Sequence, residues 1–567
     1  MKAIIFSILL LFICFTISAQ SSESYCDLAF KAMRQLEYDL AVTYYSKAIR
    51  MDPRNPSSYA NRGICYTELG KYQNALSDYK KALSIEPDAK TYNGIAVVFI
   101  DFKKFDFAFD SYKKALELSK DKIDSIMAYY GLGFIYGRFK NFPEALTNFD
   151  RAIFLDSVDL KSLHGRAVTL ILIKNYKAAL SDLYKLESLD SGNREIINQI
   201  ADCHYELGNY EDALKEYSIL INFRPNNIVY LNTRAACYHF TKSYLNEIKD
   251  YTTILNEFKN KGPIPIISST HYFRGKAYML LSKFDSAIND FTKTIQLDPS
   301  NKLSYYNRGN SYFYINKNEL AIKDYNKTLK FDTGYIPAYF SRAQAYLRMY
   351  NYEGAIKDYT KMIQIDPNDK LSYRDRGDIF VKLNRTLDAI RDYSESIKID
   401  SDFTNAYFSR ALAKTKLGDR LGAIDDYDRI IKREGKIEPS NFLMATVYNN
   451  KGYCLVELGE FQSALPFLNK ALELGPEESY IWGSRGELYF KTNEFTKCII
   501  DMNKAIELIE SKKSKAPDED SSGSYKYYYR GLSEIMIGNK DEGCSDLYKA
   551  GELGKHEAIK EIEIHCK

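Results

Sequence analysis

An all-α solenoid is the fold class this sequence predicts, and three observations predict it. A stretch of 34 residues, Pro56–Ala89, reads as two short helices and recurs in about fifteen copies. The eighth residue of every copy is Gly or Ala, from Ala29 and Gly63 through to Gly486 and Gly531. The twentieth is Ala in twelve copies, the exceptions being Glu247, Cys498 and Gly543, and the twenty-fourth is Tyr or Phe in eleven. One helical hairpin cannot bury its apolar face alone, so such units stack.

Within the type unit the first helix is expected over about Ser58–Leu69 and the second over about Gln73–Ile85. Gly70 between them suits the left-handed residue that ends a helix, and Pro87 cannot continue one. Small and apolar residues recur at three- and four-residue steps: Tyr59, Gly63 and Tyr66, then Ala75, Tyr79 and Ala82. Gly63 and Ala75 let the two backbones approach, and the tyrosines fill the space around them.

In chain order, residues 1–19 come first. Lys2, an uncharged apolar run from Ala3 to Ile17, and the small Ser18 and Ala19 read as a secretory signal peptide cleaved after Ala19. The run is shorter than the roughly 20 residues a spanning helix wants. Export is therefore expected, to a periplasm, a cell surface or the medium, with no membrane span after cleavage. Seven units occupy 22–261, five occupy 268–437, two occupy 445–512 and one occupies 524–555. A capping helix over 556–567 covers the outer face of the last unit. Gly262–Ile267 (GPIPII) is expected to make a stiff, non-helical joint, and Ser511–Gly523 is a charged, polar insertion. The seventh unit is the least regular, with Glu247 at a small-residue place, and its joint to the eighth reads either as a local packing defect or as a hinge that changes the superhelix direction.

Leu69–Gly70, Tyr72, Ala75, Tyr79, Ala82 and Pro87 together resemble the tetratricopeptide repeat family. The resemblance covers essentially everything after residue 21. It implies a right-handed superhelical solenoid that holds a protein or peptide along its concave groove. It also implies that the fifth, ninth, twelfth and thirteenth residues of each first helix face that groove. Those are Tyr272, Lys276 and Met279 in the eighth repeat and Tyr306, Asn310, Phe313 and Tyr314 in the ninth. The tenth adds Phe340, Gln344, Leu347 and Arg348. Rings would supply buried area and amides would hold a peptide backbone, although rings at this spacing also serve as plain core. No repeat has Lys at its fifth place, which excludes the family's clamp for a C-terminal carboxylate. Stacked tyrosines keep a carbohydrate or cell-wall ligand open as the alternative.

Ten repeats carry Arg at the seventh position, and the same ten carry Asp at the twenty-third, among them Arg308 with Asp324, Arg342 with Asp358, and Arg376 with Asp392. The other five have neither. A guanidinium taken out of water between helices needs a carboxylate, so these read as structural ion pairs. Of the cysteines, Cys65, Cys203, Cys237 and Cys454 share the tenth place and read as packing. Cys544 and Cys566, on the last repeat and the end of the cap, form the candidate disulfide of an exported chain.

Catalysis finds no support. The six histidines form no close metal-ligand pair, and neither a phosphate loop nor a hydrolase elbow occurs. No cofactor and no metal are expected. With 78 basic against 75 acidic residues there is no electrostatic case for nucleic acid.

Overall fold

The computed structural model describes residues 21–258, 262–433, 441–512 and 523–567. The expected signal peptide, residues 1–19, lies outside the described residues, as does most of the 511–523 insertion. Among the described residues there are thirty-one helices and no strand. No described helix is long and apolar enough to cross a membrane. Thirty of the helices are fifteen antiparallel pairs, and the last, Glu557–His565, follows the fifteenth pair. The chain divides into two compact units, residues up to Leu281 and residues from Ser282, so the boundary falls inside the eighth repeat.

Each repeat is held by the same few devices. Tyr79 is buried, and its ring lies against the backbone of two first helices. A Cβ added at Gly63 would come within 2.6 Å of the ring, and one at Gly94 within 2.7 Å. Tyr325 lies on Gly309 and Tyr393 on Gly377 in the same way. The small eighth residue and the aromatic twenty-fourth are therefore two halves of one contact. Asn or Asp before a first helix caps it: Asn55 accepts from the Ser58 amide at 3.1 Å and Asp88 from the Thr91 amide at 2.9 Å.

The turn between paired helices places the fifteenth residue in the left-handed region in all fifteen repeats. Gly fills it at only five, for example Gly70 at φ +67°. Elsewhere the same conformation is imposed on Leu36 (φ +62°), Lys140 (+59°), Tyr350 (+56°) and others. Stacking on both sides outweighs a local cost of roughly 1–2 kcal/mol per residue.

Arg62 donates through Nε and Nη2 to both carboxylate oxygens of Asp78, at 2.7 and 2.8 Å, and through Nη1 to Ser46 Oγ of the preceding repeat at 2.9 Å. Arg308 binds Asp324 and Thr292 alike, and Arg376 binds Asp392 and Thr360. Arg342 joins Asp358 at 2.8 and 2.5 Å and reaches Asn326. Each guanidinium thus ties three helices, two of its own repeat and one of its predecessor. The third contact uses the twenty-fifth residue, which sequence reasoning did not single out.

Three first helices begin one turn earlier than expected, at Lys122, Ile264 and Asn441 in place of Ile126, Ser268 and Ala445. The joint at 262–267 is accordingly not the non-helical spacer expected. Pro263 precedes the helix Ile264–Leu280 and Pro265 sits in its first turn, where the missing N–H had no intrahelical partner to lose. Glu247 of the seventh repeat is buried at 2% exposure and lies 3.2 Å from His239 Nδ1, its carboxyl pushed up by burial. At the far end Cys544 and Cys566 form a disulfide with Cα atoms 5.6 Å apart. Cys65, Cys203, Cys237, Cys454 and Cys498 are free and buried.

Candidate functional site

The residues expected to line the groove in the ninth and tenth repeats are largely engaged within the fold. Asn310 accepts a hydrogen bond from the Tyr325 hydroxyl at 2.8 Å, and Gln344 donates to the Tyr359 hydroxyl at 2.8 Å. The same link recurs from Tyr393 to Asp378 and from Tyr217 to Asp202. In these four repeats the ninth residue holds its buried twenty-fourth ring with one polar group, leaving the Asn310 amide nitrogen and the Gln344 amide oxygen outside that bond. Arg348 folds back over Phe313, 3.5 Å from the ring centroid, and donates to the Phe313 carbonyl and to Asn316. Tyr306 packs edge-on to Tyr335 at 5.3 Å and against Tyr325 at 6.1 Å. Tyr314 and Phe340 are exposed, Tyr314 while stacking on Phe284. In the other unit Tyr272 meets Phe273 edge-on at 5.3 Å, and the Lys276 ammonium lies 5.9 Å from the Tyr272 ring.

A cavity of about 650 Å³ opens elsewhere, on the first helices of the fourth and fifth repeats and the start of the sixth. Its walls use the positions the family resemblance assigns to the groove: Tyr130, Phe134 and Arg138, then His164, Val168 and Leu172. Phe149 and Leu186 form the floor. The lining is mostly apolar with a smaller set of polar groups, as suits a binding pocket.

One missing side chain keeps the pocket open. The helix Lys122–Arg138 contains Gly131, Gly133 and Gly137, although each Gly in a helix costs about 1 kcal/mol against Ala. Packing accounts for two of them. A Cβ at Gly131 would strike the Tyr112 ring at 2.2 Å, and one at Gly133 would strike Phe149 at 2.8 Å. Gly165 on the next first helix faces the same Phe149 ring at 2.6 Å. Gly137 has nothing within 4 Å of its Cβ position and lines the cavity. No packing reason explains it.

The edge carries charge of both signs. Arg138 lies over the Phe105 ring, with Lys140 two residues beyond it. On the sixth repeat Glu195 stands 3.9 Å from His164 Nε2, which also lies 3.2 Å from Gln199 Oε1. Asp202 of the same helix accepts from Asn198 at 3.0 Å and from Tyr217 at 2.5 Å, and burial pushes its carboxyl up. Sequence reasoning missed this site because it searched for rings and amides, whereas the signal lies in Gly137, the glycine that no ring fills.

Models of the tetratricopeptide repeat match residues 56–88, 171–237, 303–334, 336–369, 445–478 and 479–512, and a TPR repeat model matches 275–314. The chain is built from tetratricopeptide repeats. Among curated proteins it is similar to Hsp70-Hsp90 organizing protein 2 of Arabidopsis thaliana, 37% identical over 54 residues, 10% of each chain. It is similar also to the small glutamine-rich tetratricopeptide repeat-containing protein 2 of Saccharomyces cerevisiae, 40% identical over 57 residues, 10% of this chain and 16% of that one. The match thus spans only about a tenth to a sixth of those relatives. Among solved structures, the C-terminal part of a TPR repeat-containing protein from Cytophaga hutchinsonii aligns with TM-score 0.37 and 20% identity, covering 41% of this chain and 93% of that one. The APC/C hetero-tetramer Cut9-Hcn1 aligns with TM-score 0.30 and 15% identity, covering 88% and 95%.

Proposed function

We propose that this protein is a non-catalytic, exported scaffold that holds a polypeptide segment of a partner protein in the groove of its fourth to sixth repeats. Gly137 carries the reading. It is a helix glycine with no packing neighbour, and it keeps open an apolar pocket on the face where this family's first helices line the groove. A bulky apolar side chain of the partner fits the space, since buried anchors of this kind dominate peptide affinity. The short matches to proteins named as organizers of Hsp70 and Hsp90 support a protein as the ligand.

The test is selection of a displayed random dodecapeptide library on the immobilised mature chain and on its Gly137→Leu variant. Wild type should enrich peptides that the variant does not hold. The variant should melt no lower than wild type, because Leu is favoured over Gly in a helix by about 0.5–1 kcal/mol. Peptides retained equally by both proteins, or no enrichment at all, would overturn the reading.

Export is supported by the Cys544–Cys566 bridge, since disulfides persist in oxidising compartments. N-terminal sequencing of the protein from its native host should begin at Gln20, and an intact Met1 would refute export.

A further inference from the structure

The groove of the fourth to sixth repeats changes character along its length. On the fourth repeat its edge is basic, with Arg138 and Lys140. The fifth repeat contributes Val168 and Leu172 around the cavity. The sixth presents Glu195, Asp202 and Glu206. Asp202 and Glu206 occupy the ninth and thirteenth places of their first helix, matching Phe134 and Arg138 two repeats earlier. Among the described residues no carboxylate lies within 4 Å of the Arg138 or Lys140 head groups. Among the same residues no ammonium or guanidinium lies within 4 Å of Asp202 or Glu206. The Arg–Asp rungs, by contrast, pair half-buried charge across facing helices. Unpaired charge of opposite sign on either side of an apolar pocket is complementary to a ligand with the reverse order.

We propose that the groove selects a polypeptide segment with an acidic residue over the fourth repeat, a bulky apolar residue in the pocket and a basic residue over the sixth. Packed helices stand about 8–10 Å apart, so two repeats span about 20 Å. An extended chain advances about 3.3 Å per residue, which sets the acidic and basic residues about six apart with the apolar residue midway. Lys161, on the fifth repeat, lines the same cavity as Asp190 and Glu195 and tempers the acidic side without reversing it, because Asp202 and Glu206 add two further carboxylates on the sixth repeat. Dipoles at helix ends contribute about half a charge each and fade within a turn. Asp202 sits in mid-helix and lies clear of them.

This proposal rests on the groove reading, and its test separates the two. Peptides that depend on Gly137 are taken from the library, resynthesised, and measured by fluorescence anisotropy at low salt. Each is also made with its acidic positions changed to Lys, and separately with its basic positions changed to Asp. Either change should weaken binding roughly three- to fivefold, the scale of exposed ion pairs, and the loss should shrink at high salt. On an Arg138→Glu, Lys140→Glu variant the all-basic peptide should become the better ligand. On an Asp202→Asn, Glu206→Lys variant the all-acidic peptide should. Gly137-dependent peptides that lack charge of both signs, or preferences that the swaps leave unchanged, would overturn the polarity while leaving the groove standing. Peptides indifferent to Gly137→Leu would remove both.

Discussion

The Lys451 ammonium donates to the carboxylate of Asp428 at 2.5 Å and lies 3.8 Å from the centroid of the Phe467 ring. Lys451 stands at the seventh position of its repeat, where ten others have Arg, and Phe467 stands where those ten have Asp. Asp428 is the twenty-fifth residue of the preceding repeat. The Arg rung has two arms, one within the repeat and one back to its predecessor. Here the inner arm is a cation over a ring and only the outer arm is an ion pair.

The two kinds of rung differ in what their loss leaves behind. Arg342→Leu strands Asp358, whose side chain is 3% exposed, and should cost about 3–5 kcal/mol. Lys451→Leu strands Asp428, whose side chain is 37% exposed, and should cost about 1 kcal/mol or less. Adding Asp358→Tyr to Arg342→Leu should recover part of the first loss. Chemical denaturation of these three variants and of Asp358→Tyr alone checks this, and strictly additive effects at Arg342 and Asp358 would show that the pair is not coupled.

A second prediction concerns the turns. Tyr350 holds φ +56° and is 78% exposed, so the residue packs little while the backbone is strained. Tyr350→Gly should stabilise the chain by about 0.5–1 kcal/mol, the relief of a left-handed conformation less the entropy Gly adds to the unfolded chain. A loss on denaturation would mean that the ring contributes more than its exposure implies.

These turns also mark how far the sequence could be read. The repeat, its helices and the Arg308–Asp324 type of pairing are legible because each needs a residue type at a fixed place. Gly70 announces a left-handed turn, but Leu36 and Tyr350 do not, since neighbouring repeats impose their conformation. The tie from Tyr325 to Asn310 escaped for a related reason: the ninth residue differs widely between repeats, and only geometry shows that Asp202, Asn310, Gln344 and Asp378 each serve the hydroxyl of their repeat's twenty-fourth tyrosine. The pocket was hardest to see. Gly137 keeps it open while Gly133 and Gly165 admit the Phe149 ring, and an absent side chain looks the same in a sequence whether a ring or empty space lies opposite.

A third prediction follows from His204, buried at 6% exposure with Nε2 2.6 Å from the Tyr184 hydroxyl. Burial holds the imidazole below its ordinary pKa, Asp212 opposing and Lys215 assisting. The folded state therefore takes up the proton later than the unfolded one. This contribution to stability is complete above the ordinary value of about 6.5 and is lost as the pH falls through it, levelling off below the folded pKa. Hydrogen exchange in the helix Arg194–Glu206, corrected for intrinsic rates, should show protection falling from pH 7.5 to 5.5. His204→Gln should remove most of that dependence. An unchanged slope in the variant would assign the effect to another group.

The last prediction separates the two places where a groove has been read. Tyr306 is packed among Tyr325, Tyr335 and their neighbours, whereas Phe340 is 43% exposed. Tyr306→Ala should therefore behave as a core truncation and cost about 3–5 kcal/mol of stability. Phe340→Ala should cost about 1 kcal/mol or less, as surface changes do. If the segment binds on the fourth to sixth repeats, Phe340→Ala should also leave the affinity of Gly137-dependent peptides unchanged. The sequence alone placed both rings in the groove, where each would weaken binding by roughly 1–2 kcal/mol or more on truncation. Peptide affinity and melting temperature measured on Phe340→Ala and Tyr306→Ala distinguish the cases. Loss of affinity in Phe340→Ala without loss of stability would return the binding site to the ninth and tenth repeats.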